Sequence, residues 1–331
     1  MVYIIGIGRS GSTLLTYLLN NHPEIKAVPE VPLVLFFAND FQNIQKKSIE
    51  LEKYTKEYLD TMQLMRPKAL VSISNVVFED LEYETYTGFC DKVVEQFQMI
   101  DSKGVKKVYV DKNPQYSLFI PELRRIDSKA KFILLVRDYR DNVLSRNKKQ
   151  NNKPTNLAYN AFRNRFFLKE LAKNKNHQDC FVLTYEDLVT FSREKITEVC
   201  NFLNVPFDED VFKQIEYNSN DLDVEFNPLN DFVHAHFSQL NKPITTNAVG
   251  KWKKELKESE VQLIESICND YGVQFGYHKS TRTKNYYWLI LLHLPQFLLA
   301  KWHILKDRLI YYVPSSIKLK RLKKIHQKFL S

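Results

Sequence analysis

Residues 1–15 read Met-Val-Tyr-Ile-Ile-Gly-Ile-Gly-Arg-Ser-Gly-Ser-Thr-Leu-Leu. An apolar run enters a glycine turn and leaves it as a hydroxyl-rich helix start, the pattern of a strand, a tight loop and a helix. Such a unit binds anions, because consecutive backbone N–H groups and the positive end of the helix converge on one point. The spacing Gly6-x4-Gly11 fits a phosphate-binding P-loop, but Ser12 stands where that loop carries lysine. Arg9, inside the turn, supplies the positive charge instead. Its planar fork grips a sulfate or phosphate through two charge-assisted N–H bonds, each worth roughly 1.5–3 kcal/mol. The loop therefore selects a nucleotide-like anion and argues against ordinary ATP chemistry.

Downstream of this unit, strands and helices alternate. Ser12–Asn21 is the first helix, and Ile25–Val28 is a strand ending in a loop at Pro29-Glu30. Residues 33–99 read as mostly helical and irregular. Val105–Val110 is a strand followed by the turn Asp-Lys-Asn-Pro at 111–114. Lys131–Val136 is the clearest buried strand, running into Arg137-Asp138 and a helix that ends near Lys149. Asn156–Lys173, Lys195–Leu203 and Glu258–Tyr271 are helical, and Phe181–Thr184 is a further strand. This alternation specifies an α/β class, a three-layer sandwich of the P-loop type around a mostly parallel sheet. Ligands of such sheets sit beyond the carboxyl ends of the strands, which marks residues 8–13, Glu30, Asp111, Lys112, Arg137 and Tyr185.

Length and composition are compatible with one large domain plus an appendage, at 331 residues of which 44% are hydrophobic. Four cysteines at 90, 180, 200 and 268 have no metal-ligand spacing, and are expected to be reduced and buried. No signal peptide is expected ahead of the first strand, so a cytoplasmic location is the default. The net charge of +9 is unevenly spread. From Lys279 onward there are twelve Lys and Arg and one acid, Asp307, which leaves 36 basic and 38 acidic residues for the body. A near-neutral body does not look like a nucleic-acid binder.

A second anion subsite lies in Leu-Leu-Val-Arg-Asp-Tyr-Arg-Asp-Asn-Val-Leu-Ser-Arg, residues 134–146. Arg137 leaves a buried strand, and Ser145 follows eight residues on, about two helical turns. By itself, an arginine at a strand end reads as a structural ion pair with Asp138 or Asp141; beside the first loop it reads as a second phosphate contact.

Together these two motifs resemble sulfotransferases that use 3′-phosphoadenosine 5′-phosphosulfate (PAPS), and are most similar to the tyrosylprotein and bacterial carbohydrate-type members. Asp-Lys-Asn-Pro at 111–114, Tyr-Glu-Asp-Leu at 185–188 and Gly-Lys-Trp at 250–252 extend the likeness over roughly residues 1–277. The resemblance implies that Arg9, Ser10, Gly11, Ser12 and Thr13 hold the 5′-phosphosulfate. Arg137 and Ser145 would hold the 3′-phosphate, with Lys149 as a further basic contact. Tyr185 would meet the nucleotide, and Ser238 and Lys251 would approach from a C-terminal loop. Trp252 either packs beside the adenine or is a core indole. Glu30 matches the family's catalytic base, with a pair to Arg9 or Lys112 as its plain structural alternative. Lys112 matches the lysine that stabilises the departing oxygen, and Arg9 assists. His234 and His236 are outside candidates for the base, and His22 reads as a helix-end residue.

The expected reaction is in-line sulfuryl transfer from PAPS to a hydroxyl of a glycan, lipid or tyrosine-like acceptor, with no metal. A P-loop kinase using Mg-ATP and a non-catalytic nucleotide-binding membrane adaptor are the alternatives. The expected organisation is a catalytic domain over 1–278 and a basic, aromatic helical extension over 279–331. Tyr286–Trp302 is too interrupted to span a bilayer, so residues 284–331 are expected to lie on an anionic membrane, placing the chain peripherally at its inner face. Packing of the tail on the body or on a second subunit is the competing arrangement, and a homodimer is left open.

Overall fold

In the computed structural model, the described residues are 1–64, 71–99, 105–149, 156–213 and 243–330. Five strands form the central sheet: β1 (Val2–Gly6), β2 (Ile25–Pro29), β5 (Val108–Lys112), β6 (Lys131–Val136) and β7 (Cys180–Thr184). Their order is β2-β5-β1-β6-β7, and every pairing is parallel. The remaining strands, β3 (Val71–Ser72) and β4 (Gln98–Met99), make a small antiparallel pair. The three-layer α/β sandwich read from the sequence is therefore the fold.

Strand alternation builds the two cores. On β1, Tyr3 and Ile5 join one apolar cluster while Val2 and Ile4 join the other. The Val2/Ile4 face is covered by α1 (Ser12–Asn21) and α9 (Ser192–Leu203), through Leu15, Leu19, Ile196 and Val199. The opposite face carries α2 (Leu33–Phe41), α3 (Ile49–Gln63), α4 (Tyr86–Gln96) and α5 (Ile120–Ile126). Also on that face are α7 (Leu157–Asn174) and the Glu258–Gly272 helix. Gly6 allows β1 and β6 to close up: a Cβ there would sit 2.2 Å from the Leu135 carbonyl oxygen.

Three details differ from the sequence reading. Residues 33–99 include the β3–β4 pair as well as helices. Strand β5 runs on through Asp111 and Lys112, because Ile4 and Pro29 on its two neighbours still pair with Lys112. Cys180 is only half-buried, whereas Cys90, Cys200 and Cys268 are buried free thiols. His22 does cap the end of α1, its Nε2 donating to Pro206 O (2.7 Å) while its Nδ1 accepts from Glu24 N. The tail folds as helices Tyr286–Leu292, Leu294–Tyr311 and Ser315–Leu330, packed on α2, α3 and α7.

Asp111 is an unusual core residue. It is buried, and its Oδ1 has no hydrogen-bond partner. Burial pushes its carboxyl up to about 8, with Tyr116 and Lys112 pulling the other way. Between the ordinary carboxylate range and that value, the folded chain keeps a proton that the unfolded chain releases. Asp111 therefore weakens the fold progressively as pH rises through this window. Thermal melts of wild type and Asp111→Asn should show a stability difference that moves in favour of the variant from about pH 5 to about pH 8. A difference that does not change with pH would mean that Asp111 is ionised in the fold.

Candidate active site

The carboxyl ends of β1, β2, β5, β6 and β7 all open on one edge of the sheet. Leaving β1, the chain turns through Arg9 with φ of 79° and Gly11 with φ of 88°. Such a conformation costs an arginine about 1–3 kcal/mol and persists only where surroundings impose it. The surroundings are α6 (Tyr139–Lys149) and its lead-in. Asn142 Nδ2 donates to Gly8 O and to Ser10 Oγ, each at 3.1 Å. Arg146 Nη2 donates to Gly8 O at 3.2 Å, and Arg137 Nη1 to Arg9 O at 3.1 Å. With those carbonyls tied to α6, the loop offers its N–H side to a ligand. Gly11 gives α1 no capping side chain, so the donors of the first turn at Ser12 and Thr13 face an anion-binding position. Gly11 is required for space as well as conformation: a Cβ would lie 2.5 Å from the Tyr185 ring.

The two subsites read from the sequence meet directly. Arg9 Nε donates to Ser145 Oγ at 3.3 Å. Arg137 is 7% exposed, with its guanidinium 4.6 Å from the centre of the Tyr185 ring and Nη2 bonded to Ala248 O at 2.6 Å. Its buried Nε has no partner. The plain ion-pair reading of Arg137 does not hold among the described residues. Asp138 is taken by Arg140 in a two-pronged pair, and Asp141 accepts from Gly250 N and Trp252 N at 2.6 and 2.8 Å. Positive charge thus accumulates. Burial, and then the charge of Arg137, lowers the proton affinity of Arg9. Arg146 is pushed down to about 10 by burial, with Arg163 and Arg9 adding to the effect. An arriving anion would favour the charged form of both arginines and so counter these shifts.

A third pairing lies at the ends of β5 and β2. Lys112 Nζ donates to Glu30 Oε1 at 2.7 Å, and Glu30 N donates to Lys112 O at 2.9 Å. The lysine side chain is 3% exposed and the glutamate side chain 57%, so the pair crosses from the interior to the surface. Glu30 also has positive φ, 42°. Among the described non-glycine residues only Arg9, Glu30 and Asn204 do.

Other predicted residues are placed as follows. Ser10 is buried under Asn142. Lys251 is exposed, in a loop pinned to α6 through its neighbours Gly250 and Trp252. Trp252 proves to be a core indole, 8% exposed, with the Arg140 guanidinium 4.0 Å above its ring. Lys149 ends α6, and its side chain lies outside the described residues, as do Ser238, His234 and His236. Sequence reasoning missed Asn142 and Arg146, which hold the loop from one face of α6; the only signal was their four-residue spacing within the second motif. It also missed Glu186, which accepts from Asp138 N (3.0 Å) and Tyr277 Oη (2.6 Å) and fixes the start of the Arg137 segment.

Residues 2–209 match the profile described as Sulfotransferase family. The chain belongs to that family. The match contains both arginine subsites and the Lys112–Glu30 pair. Among curated relatives, protein-tyrosine sulfotransferase A of Caenorhabditis elegans is 22% identical over 303 residues, 86% of this chain and 69% of that one. Nodulation protein NoeE of Sinorhizobium fredii is 25% identical over 307 residues, 84% and 66% of the two chains. Among solved structures, a sulfotransferase domain from the curacin biosynthetic pathway superposes with a TM-score of 0.51 at 22% identity, covering 80% of this chain and 96% of that one. This sulfotransferase thus shares their α/β fold.

Arg146 offers a direct check on the site. Arg146→Ala removes a charged donor from the loop carbonyl and a cation from the cluster, a loss of roughly 1.5–3 kcal/mol. Titration with inorganic pyrophosphate should show affinity reduced about ten- to hundredfold. Unchanged affinity would place Arg146 outside anion binding.

Proposed function

We propose that this sulfotransferase moves the sulfuryl group of PAPS to a hydroxyl of a glycan, lipid or tyrosine-like acceptor. The observation that supports it most is the joined pair of anion subsites, Arg9 on Ser145 and Arg137 on the Arg9 carbonyl. A donor with phosphate at the 3′ position and phosphosulfate at the 5′ position presents two anionic groups to two cationic sites. The residues present fit it: Arg137 has an unpartnered buried Nε, and α1 begins without a capping side chain. Arg9 to Thr13 would hold the 5′ end, Arg137 and Ser145 the 3′ end, and Tyr185, stacked on Arg137, the nucleoside between them. Lys149, Lys251 and Ser238 complete the proposed contacts.

The donor supplies an activated sulfur whose bond to the 5′-phosphate oxygen breaks as the acceptor oxygen bonds to it. Catalysis of such a transfer rests on positioning and on neutralising charge at the leaving oxygen. Lys112, buried at the end of β5 next to β1, is the cation for that oxygen. Glu30, at the exposed end of the same pair, takes the proton of the entering hydroxyl. As negative charge develops on the leaving side, Lys112 is drawn toward it and its hold on Glu30 weakens. The glutamate becomes a better base as the acceptor arrives. The names of the protein-tyrosine relatives support a phenolic acceptor as one class to test.

A kinase reading is disfavoured by Ser12 in the lysine position and by the second arginine site, and an adaptor reading has no use for the Lys112–Glu30 pair. Two measurements separate the readings. 3′-Phosphoadenosine 5′-phosphate should raise the melting temperature without Mg²⁺, and ATP should not; stronger stabilisation by Mg-ATP would overturn the proposal. Glu30→Gln should lower transfer from PAPS by about 10²–10⁴-fold. Lys112→Ala should do the same, while both variants keep the nucleotide shift. Wild-type turnover in either variant would remove that residue from the mechanism.

A further inference from the structure

The closing helices carry two apolar stripes, and the body of the protein uses only one. The inner stripe is firmly seated. Phe297 lies 5.3 Å from Phe162 and 6.0 Å from Phe166, and Ala300 is fully buried. Tyr159 Oη and His303 Nδ1 share a 2.6 Å hydrogen bond, and Tyr311 stacks near Phe119 while its hydroxyl accepts from Arg125. Ser315 N donates to Asp40 Oδ2 at 2.6 Å, and Lys323 pairs with Glu57 at 2.7 Å. The tail is therefore not a loose segment waiting to find its place on the domain.

The outer stripe has no cover. Leu294, Leu298, Trp302, Leu305, Leu309 and Tyr312 recur at three- and four-residue spacing, which puts them on one face, and each is 40–60% exposed. Tyr287, Trp288, Leu291 and Leu292 of the preceding helix are exposed at 63–75%. A monomer rarely leaves so large an apolar face in water without a use for it. Exposed basic residues accompany the stripe: Lys301 on the same helix and Lys320, Arg321 and Lys324 on the next, with Arg308, also exposed, reaching back to Glu170 at 3.5 Å. Residues 279–331 carry twelve Lys and Arg and one acid, Asp307.

We infer that this face docks on an anionic lipid bilayer, with the helices lying in the plane of the surface. The charge pattern favours this occupant over a second copy of the chain, because two such tails packed together would bring their cations face to face. Headgroup phosphates neutralise those cations, while the two indoles and the leucines enter the acyl boundary. Among the described residues no single helix is long and apolar enough to cross a bilayer; Tyr286–Leu292 and Leu294–Tyr311 reach that length and apolarity only together, as a pair bent by 98°. The inner stripe, moreover, is already committed to the domain.

Vesicle sedimentation with the full-length chain tests this. Phosphatidylcholine vesicles containing phosphatidylglycerol should pellet the protein, and phosphatidylcholine alone should do so at least tenfold more weakly. Leu298→Glu combined with Leu305→Glu alters two exposed side chains, so the fold and the nucleotide-induced shift in melting temperature should be retained while vesicle affinity falls at least tenfold. Lys320→Glu with Lys324→Glu should reduce binding to anionic vesicles and leave binding to neutral ones unchanged. Failure to pellet with anionic vesicles, or pelleting indifferent to the leucine pair, would overturn the inference. A dimer in light scattering that the leucine pair dissolves, with no vesicle binding, would assign the face to a second copy instead.

Discussion

Arg9 and Arg137 are held together against their mutual repulsion, with neither in an ion pair among the described residues. Everything around them is organised to keep that arrangement. The nearest carboxylates are occupied elsewhere: Asp138 by Arg140, and Asp141 by the backbone of the returning 250–252 loop. Glu265 completes the diversion. Buried and accepting from Arg140 Nη1, Ser280 and Thr281, it gives Arg140 a second carboxylate partner, whereas Arg137, among the described residues, bonds only to the carbonyl oxygens of Arg9 and Ala248. A buried cation without a counter-ion destabilises the fold. In the proposed function, an anionic donor supplies the missing counter-charge.

The cost is carried in backbone geometry as well. Arg9 and Glu30 both hold left-handed conformations that favour glycine, and they flank the two reacting ends of the proposed transfer. In each case a hydrogen bond to a carbonyl pins the turn: Arg137 to Arg9 O, and Glu30 N to Lys112 O. The sheet supplies these clamps because β1, β5 and β6 are neighbours in space though separated in sequence. Side chains at their carboxyl ends then fall within hydrogen-bond reach of one another.

Local signals in the chain carried much of this. The glycine turn after β1 and the arginine after β6 are short patterns whose meaning does not depend on distant residues, so both segments could be singled out, and the parallel sheet that brings them together was legible as well. The grip of α6 on the loop was not, because Asn142 and Arg146 acquire their role only when two segments more than a hundred residues apart are packed. Trp252 was ambiguous for the same reason: its ring partner, Arg140, is chosen by the fold. The burial of Lys112 against an exposed Glu30 is likewise a property of register, set by β5 continuing between β1 and β2. The tail was readable as basic and aromatic, but not as two-faced, since its inner stripe is defined by Phe162, Phe166 and Phe119 of the domain.

Calorimetry with two nucleotides tests most directly whether the arginines grip opposite ends of one donor. Wild type should bind 3′-phosphoadenosine 5′-phosphate more tightly than adenosine 5′-phosphate, and Arg137→Ala should erase most of that difference, over and above the loss that both nucleotides share once the clamp on the Arg9 carbonyl is gone. Arg9→Ala should weaken both nucleotides alike. Equal losses for both nucleotides in Arg137→Ala, or a wild type indifferent to the 3′-phosphate, would contradict the division of labour on which this account depends.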